Sequence, residues 1–229
     1  MRFYVDAVEA ADAVIETYRV GKADRALSAL LGVQALILLA TGQYPLIDLA
    51  VEVNVHGGQP QLMIVPFNRG FQLDSVVRDI TDSDVAGLTE LWPRILAGFE
   101  NRRIAIALRR VVAVHERNTI DDGFIDAWIA LEALFGSDTE IAHRISQRIA
   151  YYTGSDPDER MATYDESKAL YTLRSKLVHG APATISRDQF ESAFNLMMKA
   201  LTMILRSEGR AFDPTGLDTE MLRGSAFRH

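Results

Sequence analysis

The chain has 229 residues, 48% of them apolar, and a formal net charge of −7. That supports one packed core and excludes a protein that coats nucleic acid with its whole surface, which would be basic. The absence of cysteine excludes disulfides, thiol nucleophiles and cysteine-ligated metals, and fits a reducing, cytoplasmic setting.

The first 41 residues read as helix, from Val5, Val8, Ala11 and Val14 and then the Leu27–Leu39 block, with breaks at Gly21 and Gly42. The longest apolar stretch, Ala29 to Ala40, is interrupted by Gly32 and Gln34. It is shorter than the roughly 20 residues that a membrane span needs and predicts a buried helix. Asp6 and Glu9 precede it without a basic region, so no signal peptide and no membrane partner is expected. From Ile47 to Val55 apolar residues alternate, and after His56-Gly57-Gly58-Gln59-Pro60 an apolar run returns over Leu62–Phe67. This predicts a β-hairpin, with Pro66 marking an edge strand.

From Ser83 onward the pattern is helical. One helix is expected from a cap at Asp82 or Ser83 to about Arg117, bent at Pro93. The next starts at Asp121 or Asp122 and stops at Gly136. Ser137-Asp138-Thr139-Glu140 forms a capping box for a helix to about Thr153. Asp156-Pro157 starts a further one that runs to Val178, with an interruption near Thr163. Ser186-Arg187-Asp188-Gln189 opens an amphipathic helix bearing Phe190, Phe194, Met197, Leu201 and Ile204. Beyond Gly209 the tail is weakly patterned. The expected fold is mainly α: residues 1–82 form an N-terminal helical and hairpin addition, 83–207 an antiparallel helical bundle, and 208–229 a C-terminal tail.

Three blocks stand out in order: Trp128-Ile129-Ala130-Leu131-Glu132-Ala133-Leu134-Phe135-Gly136, then Glu140-Ile141-Ala142-His143-Arg144, then Leu170-Tyr171 with Arg174-Ser175-Lys176-Leu177-Val178-His179-Gly180. Together they resemble the ApeA-like branch of the HEPN superfamily over roughly residues 100–205. The resemblance implies a HEPN-type bundle that forms a homodimer. It also implies that Arg174 and His179, brought together from both protomers, cleave RNA without a metal or other cofactor, in antiphage-defence or toxin-like roles. Ser175 departs from the Asn, Asp or His common after the motif arginine. The alternative is therefore a non-catalytic HEPN module that dimerises and binds a nucleotide, RNA or a protein regulator.

The residue types suit that chemistry. RNA carries its own nucleophile, the 2′-hydroxyl, so cleavage needs a base, an acid and positive charge on the phosphorane. Histidine moves protons near neutral pH, and arginine grips phosphate oxygens bidentately. His179 stands at a helix end stopped by Gly180 and Pro182, where a cation is favoured by about 0.3–1 kcal/mol when exposed. The five-residue step from Arg174 turns about 140° around a helix, so one protomer need not present both groups on one face.

Other residues are weighed beside these. Glu132 sits among Trp128, Ile129 and Phe135, and a carboxylate in an apolar setting needs a basic partner. Arg144 is the first candidate and Arg174 the second. Tyr171, one turn before Arg174, stacks a base or packs into the core. Lys176 adds phosphate charge or is an ordinary exposed lysine, and Ser175 offers a hydrogen bond. Arg103, Arg110 and Arg117 recur at seven-residue spacing, as a solvated helix face or a track for an RNA backbone. His56, His115 and His143 lack metal-ligand spacing, and no nucleotide-binding loop or hydrolase motif is present.

Overall fold

The computed structural model describes residues 2–4, 14–16, 23–42, 49–56, 59–66, 81–136 and 141–223. Among them the chain is mainly helical, and no helix is long and apolar enough to cross a membrane. Two short strands, β1 (Arg2–Tyr4) and β2 (Val14–Glu16), pair antiparallel with Phe3 opposite Ile15. They replace the helix expected over those positions, because the aromatic Phe3-Tyr4 and β-branched Val14-Ile15 pairs favour extended backbone. Val5, Val8 and Ala11 lie outside the described residues. Helix α1 (Ala23–Thr41) then ends at Gly42, which adopts φ 70° and donates to Leu38 O at 2.8 Å. Strands β3 (Leu49–His56) and β4 (Gln59–Pro66) pair antiparallel, with Leu49 opposite Pro66 and His56 opposite Gln59.

The helix expected to run unbroken to residue 117 is two helices. The first, α2 (Asp82–Gly98), is capped by Thr81 rather than by Asp82 or Ser83. Thr81 and Asp84 satisfy each other's backbone N–H groups in a reciprocal capping box. The chain continues as a helix through Pro93 but turns at Phe99. There α3 (Arg102–Glu116) begins from Asn101, whose side-chain oxygen accepts from the N–H groups of Arg103 and Ile104. The corner is tight at Gly98, where a Cβ would come within 2.9 Å of the Ile104 side chain. The cap and that close approach override a helical apolar period that runs straight through the corner.

Helix α4 (Ile120–Phe135) starts one or two residues earlier than expected, capped by Thr119, and closes at Gly136. It is the central element, packed by α3, α5 (Ile141–Thr153), α6 (Pro157–Val178) and α7 (Arg187–Ser207). Trp128, Phe124, Phe135, Tyr152 and Phe190 are fully buried around it, each contributing on the order of 1.5–3 kcal/mol by removal from water. The capping box expected at 137–140 lies outside the described residues. The box at Ser186 and Gln189 is formed as read. So is the Asp156-Pro157 start of α6, which runs without interruption through Thr163. Residue 82 is the first residue of α2, and Val33, Leu36 and Leu38 of α1 join the same buried core.

The weakly patterned tail docks as far as residue 223. Phe212 packs against Phe135 and Tyr152, with ring centroids 5.8 and 5.6 Å apart. Helix α8 (Thr215–Leu222) inserts Leu217 into the core. Arg148 on α5, itself buried, holds Asp218 of α8 with two hydrogen bonds of 2.8 Å. A bidentate carboxylate–guanidinium pair and one apolar anchor hold eight residues whose pattern alone is nearly uninformative.

Candidate functional site

The site grows from the way α6 ends. Its C-terminal turn is closed by two backbone bonds, Gly180 N–H to Leu177 O at 3.2 Å and Ala181 N–H to Lys176 O at 2.9 Å. That is the Schellman pattern, and it requires the left-handed backbone that Gly180 supplies at φ 70°. His179 is thereby fixed as the last residue of the turn, with its N–H donating to Ser175 O at 3.1 Å and its side chain exposed. Lys176 is also exposed, and Ser175 is half-buried.

Arg174 faces the other way, toward the central helix. Its Nη2 donates to Glu132 Oε2 at 2.7 Å, with the two side chains 18% and 24% exposed. Tyr171 completes the group: the Arg174 guanidinium lies over its ring, 5.7 Å from the centroid. Tyr171 in turn meets the buried Trp128 edge-on at 5.3 Å. Of its two sequence readings, the packed one fits this setting. Burial pushes the Glu132 carboxyl above its ordinary range, and Arg174 and Tyr171 pull it partway back. Burial also raises the Tyr171 hydroxyl.

The partner of Glu132 is therefore Arg174, not Arg144. Arg144 donates to Asp218 at 3.3 Å and belongs to the docked tail. The arginine stripe is likewise neither a free solvated face nor an open track. Arg110 and Arg117 both bind the carboxylate of Asp126 on α4, which is 2% exposed, and Arg103 donates to Ala133 O at 2.9 Å. These three arginines tie α3 to α4. A signal for this was present, since Asp126 lies between Ile125 and Ala127 in the same apolar helix as Glu132 and needs a cation for the same reason.

No hydrogen bond or ion pair joins Arg174 to His179 among the described residues. The chain thus offers an inward-held guanidinium and an outward imidazole on the last two turns of α6. Farther back along α6, Tyr164 is linked to His143 of α5, hydroxyl to Nδ1, at 2.9 Å, a contact no sequence spacing announced. Among the described residues no group of three or more His, Asp or Glu is placed to hold a metal ion.

The end of α4 sets where Glu132 stands. Arg148 donates to the terminal carbonyls of Phe135 and Gly136 at 2.9 and 3.2 Å. A Cβ on Gly136 would lie 2.4 Å from Glu132 O, a backbone atom that cannot turn aside. Gly136→Ala is expected to destabilise the protein by about 1–3 kcal/mol and to disturb the Glu132–Arg174 pair one turn away. Urea unfolding, with the Tyr171 and Trp128 near-ultraviolet signal as the local reporter, checks both.

Comparisons with protein-family models, with curated proteins and with solved structures find no match to this chain.

Proposed function

We propose that the protein is a HEPN-type endoribonuclease of the ApeA-like branch that acts as a homodimer and cleaves RNA through its own 2′-hydroxyl. The observation that carries the reading is the placement of the motif pair on one helix end. Arg174 is held in a defined orientation by Glu132 and Tyr171, and His179 is exposed one and a half turns on. Arg174 meets Glu132 through one nitrogen, Nη2, so further N–H groups of its fork remain for phosphate oxygens. In the proposed reaction a histidine takes the 2′-hydroxyl proton as that oxygen attacks phosphorus. The bond to the 5′-oxygen breaks, the leaving oxygen takes a proton from the second histidine, and a 2′,3′-cyclic phosphate forms. Arg174 offsets the charge that builds on the phosphorane. The second copy supplies the other histidine, because the helical step from 174 to 179 divides the two groups within one protomer.

A second reading, a non-catalytic HEPN module that binds RNA, a nucleotide or a protein regulator, is favoured by one specific feature. Nε of Arg174 is buried without a hydrogen-bond partner, so part of the guanidinium is spent in the α4–α6 seam. The two separate in one experiment. Purified protein is incubated with mixed RNA, with and without EDTA, and the products are resolved on a denaturing gel. Cleavage that persists in EDTA and leaves cyclic phosphate ends supports the nuclease. Binding without cleavage transfers the conclusion to the second reading.

A further inference from the structure

The exposed side of α6 carries a second pattern that the motif pair does not explain. Tyr164, Lys168, Tyr171, Ser175 and His179 recur at steps of four, three, four and four residues. At 100° per residue they fall within a stripe about 80° wide. The stripe holds two aromatic rings, a lysine, a hydroxyl and the candidate catalytic histidine, and no carboxylate. Asp165 and Glu166 project off it by the same period. This is a local cationic and aromatic strip on a chain whose net charge is −7.

Its far end is built rather than incidental. The Tyr164 hydroxyl is held by His143 Nδ1 at 2.9 Å, and the two rings meet edge to face at 5.8 Å and 83°. The Lys168 ammonium lies 5.4 Å from the Tyr164 ring centroid. His143 and Lys168 are exposed and Tyr164 is half-buried. A ring fixed at both its edge and its hydroxyl has already lost its rotamer freedom, so a base stacking on it meets little further ordering cost. Tyr171 cannot serve in that way, because its ring packs against the buried Trp128.

We propose that Tyr164, tethered by His143, is a base-stacking platform, and that Lys168, Ser175 and His179 continue from it as a track that feeds single-stranded RNA to the motif end of α6. The track spans about 22 Å of helix axis, matching the lower end of the roughly 4–16 nucleotides that single-strand sites cover. Charge and stacking together select a single strand: a duplex hides its base faces, while an unpaired strand offers both phosphates and rings. The inference rests on the RNA reading of the site, but it concerns binding and not bond cleavage.

The test uses the whole chain and a 2′-O-methyl oligouridine of about 12 nucleotides, a length within the single-strand range, which binds but cannot be cut. Affinity is read by fluorescence anisotropy across a salt series, beside a duplex of equal length. Tyr164→Ala is expected to weaken single-strand binding about tenfold, and Tyr164→Phe, which keeps the ring and loses the tether, by a smaller factor. Lys168→Ala should lower the slope of log affinity against log salt by about 0.7. Duplex binding should change in none of them. Lys168→Glu, at the surface, keeps the test available if Tyr164→Ala does not fold, and is expected to weaken binding more than Lys168→Ala. A parent protein that ignores the oligomer, or Tyr164 and Lys168 variants that bind it like the parent, overturns the track. Cleavage of short RNA that is indifferent to Tyr164 would leave the nuclease standing without the track. Tyr164-dependent binding with no cleavage of any RNA would leave the track standing without the nuclease.

Discussion

Replacing His179 by alanine is expected to cut RNA cleavage by about 10²–10⁴-fold, the range a positioned proton-transfer group supplies, with no change in fold. The side chain is exposed at a helix terminus, so its removal leaves no cavity in the core. Removing Arg174 is expected to cost about 10²–10³-fold through lost stabilisation of the phosphorane, but alanine there also strands the half-buried Glu132 carboxylate. Arg174→Lys is the cleaner change: it keeps the charge beside Glu132 and removes the fork that grips phosphate. Single-turnover cleavage, with circular dichroism and the oligomeric state measured on the same samples, checks all three variants. Mixing His179→Ala with Arg174→Lys protomers adds a sharper check. The proposed reaction places both histidines in one cleft, so a mixed dimer, which has only one of them, should stay as inactive as the His179→Ala parent. Full cleavage by His179→Ala would remove the imidazole from the mechanism and the nuclease with it.

How far the sequence could be read divides along a physical line. The starts of α6 and α7 and the stop at Gly136 were legible because caps are local: Asp156-Pro157 and Ser186–Gln189 fix their own backbone with side chains three residues away or less. At the corner at Phe99 the Asn101 cap is local and was missed, whereas the fit of Gly98 against Ile104 and Leu205 was not legible, because Leu205 lies over a hundred residues away. The partner of Glu132 was named only as the second candidate for the same reason. Desolvation predicts that a cation must come, but the parallel course of α4 and α6 decides that it is Arg174, and the docked tail draws Arg144 away to Asp218. The docked course of the tail was the least legible part. It carries no period because two contacts, Leu217 in the core and Asp218 on Arg148, do the docking. At the site, the motif pair was picked out by the resemblance of three sequence blocks together with its residue types, whereas the Tyr164–His143 contact joins two helices and no spacing along one of them reveals it.

Acid should unfold this protein earlier than its carboxylates alone would dictate. His115 is 8% exposed on α3, its ring edge-on to Phe194 of α7 at 5.2 Å. Burial holds its imidazole at about 4, against 6.5 in the unfolded chain. Between those values the unfolded chain binds a proton that the folded one refuses. The stabilisation from keeping His115 neutral is therefore complete above pH 6.5 and is lost as the pH falls toward 4. At about 1.4 kcal/mol per pH unit the loss amounts to about 3 kcal/mol, a large part of the stability of an ordinary domain. The carboxylates work in other directions or lower windows. Glu132 and Glu208, raised by burial, favour the folded state as they take up protons. Asp213 and Asp218, lowered by their hydrogen bonds to Thr215 and Arg148, release their contribution only as the pH drops below the ordinary carboxylate range. Urea unfolding of the parent and of His115→Leu at pH 7 and pH 4.5 isolates the imidazole. The parent should lose stability between the two, and the leucine variant should lose about 2.5 kcal/mol less. Equal losses in the two proteins would mean that the α3–α7 seam admits a charged histidine, and that Phe194 does not seal it from water.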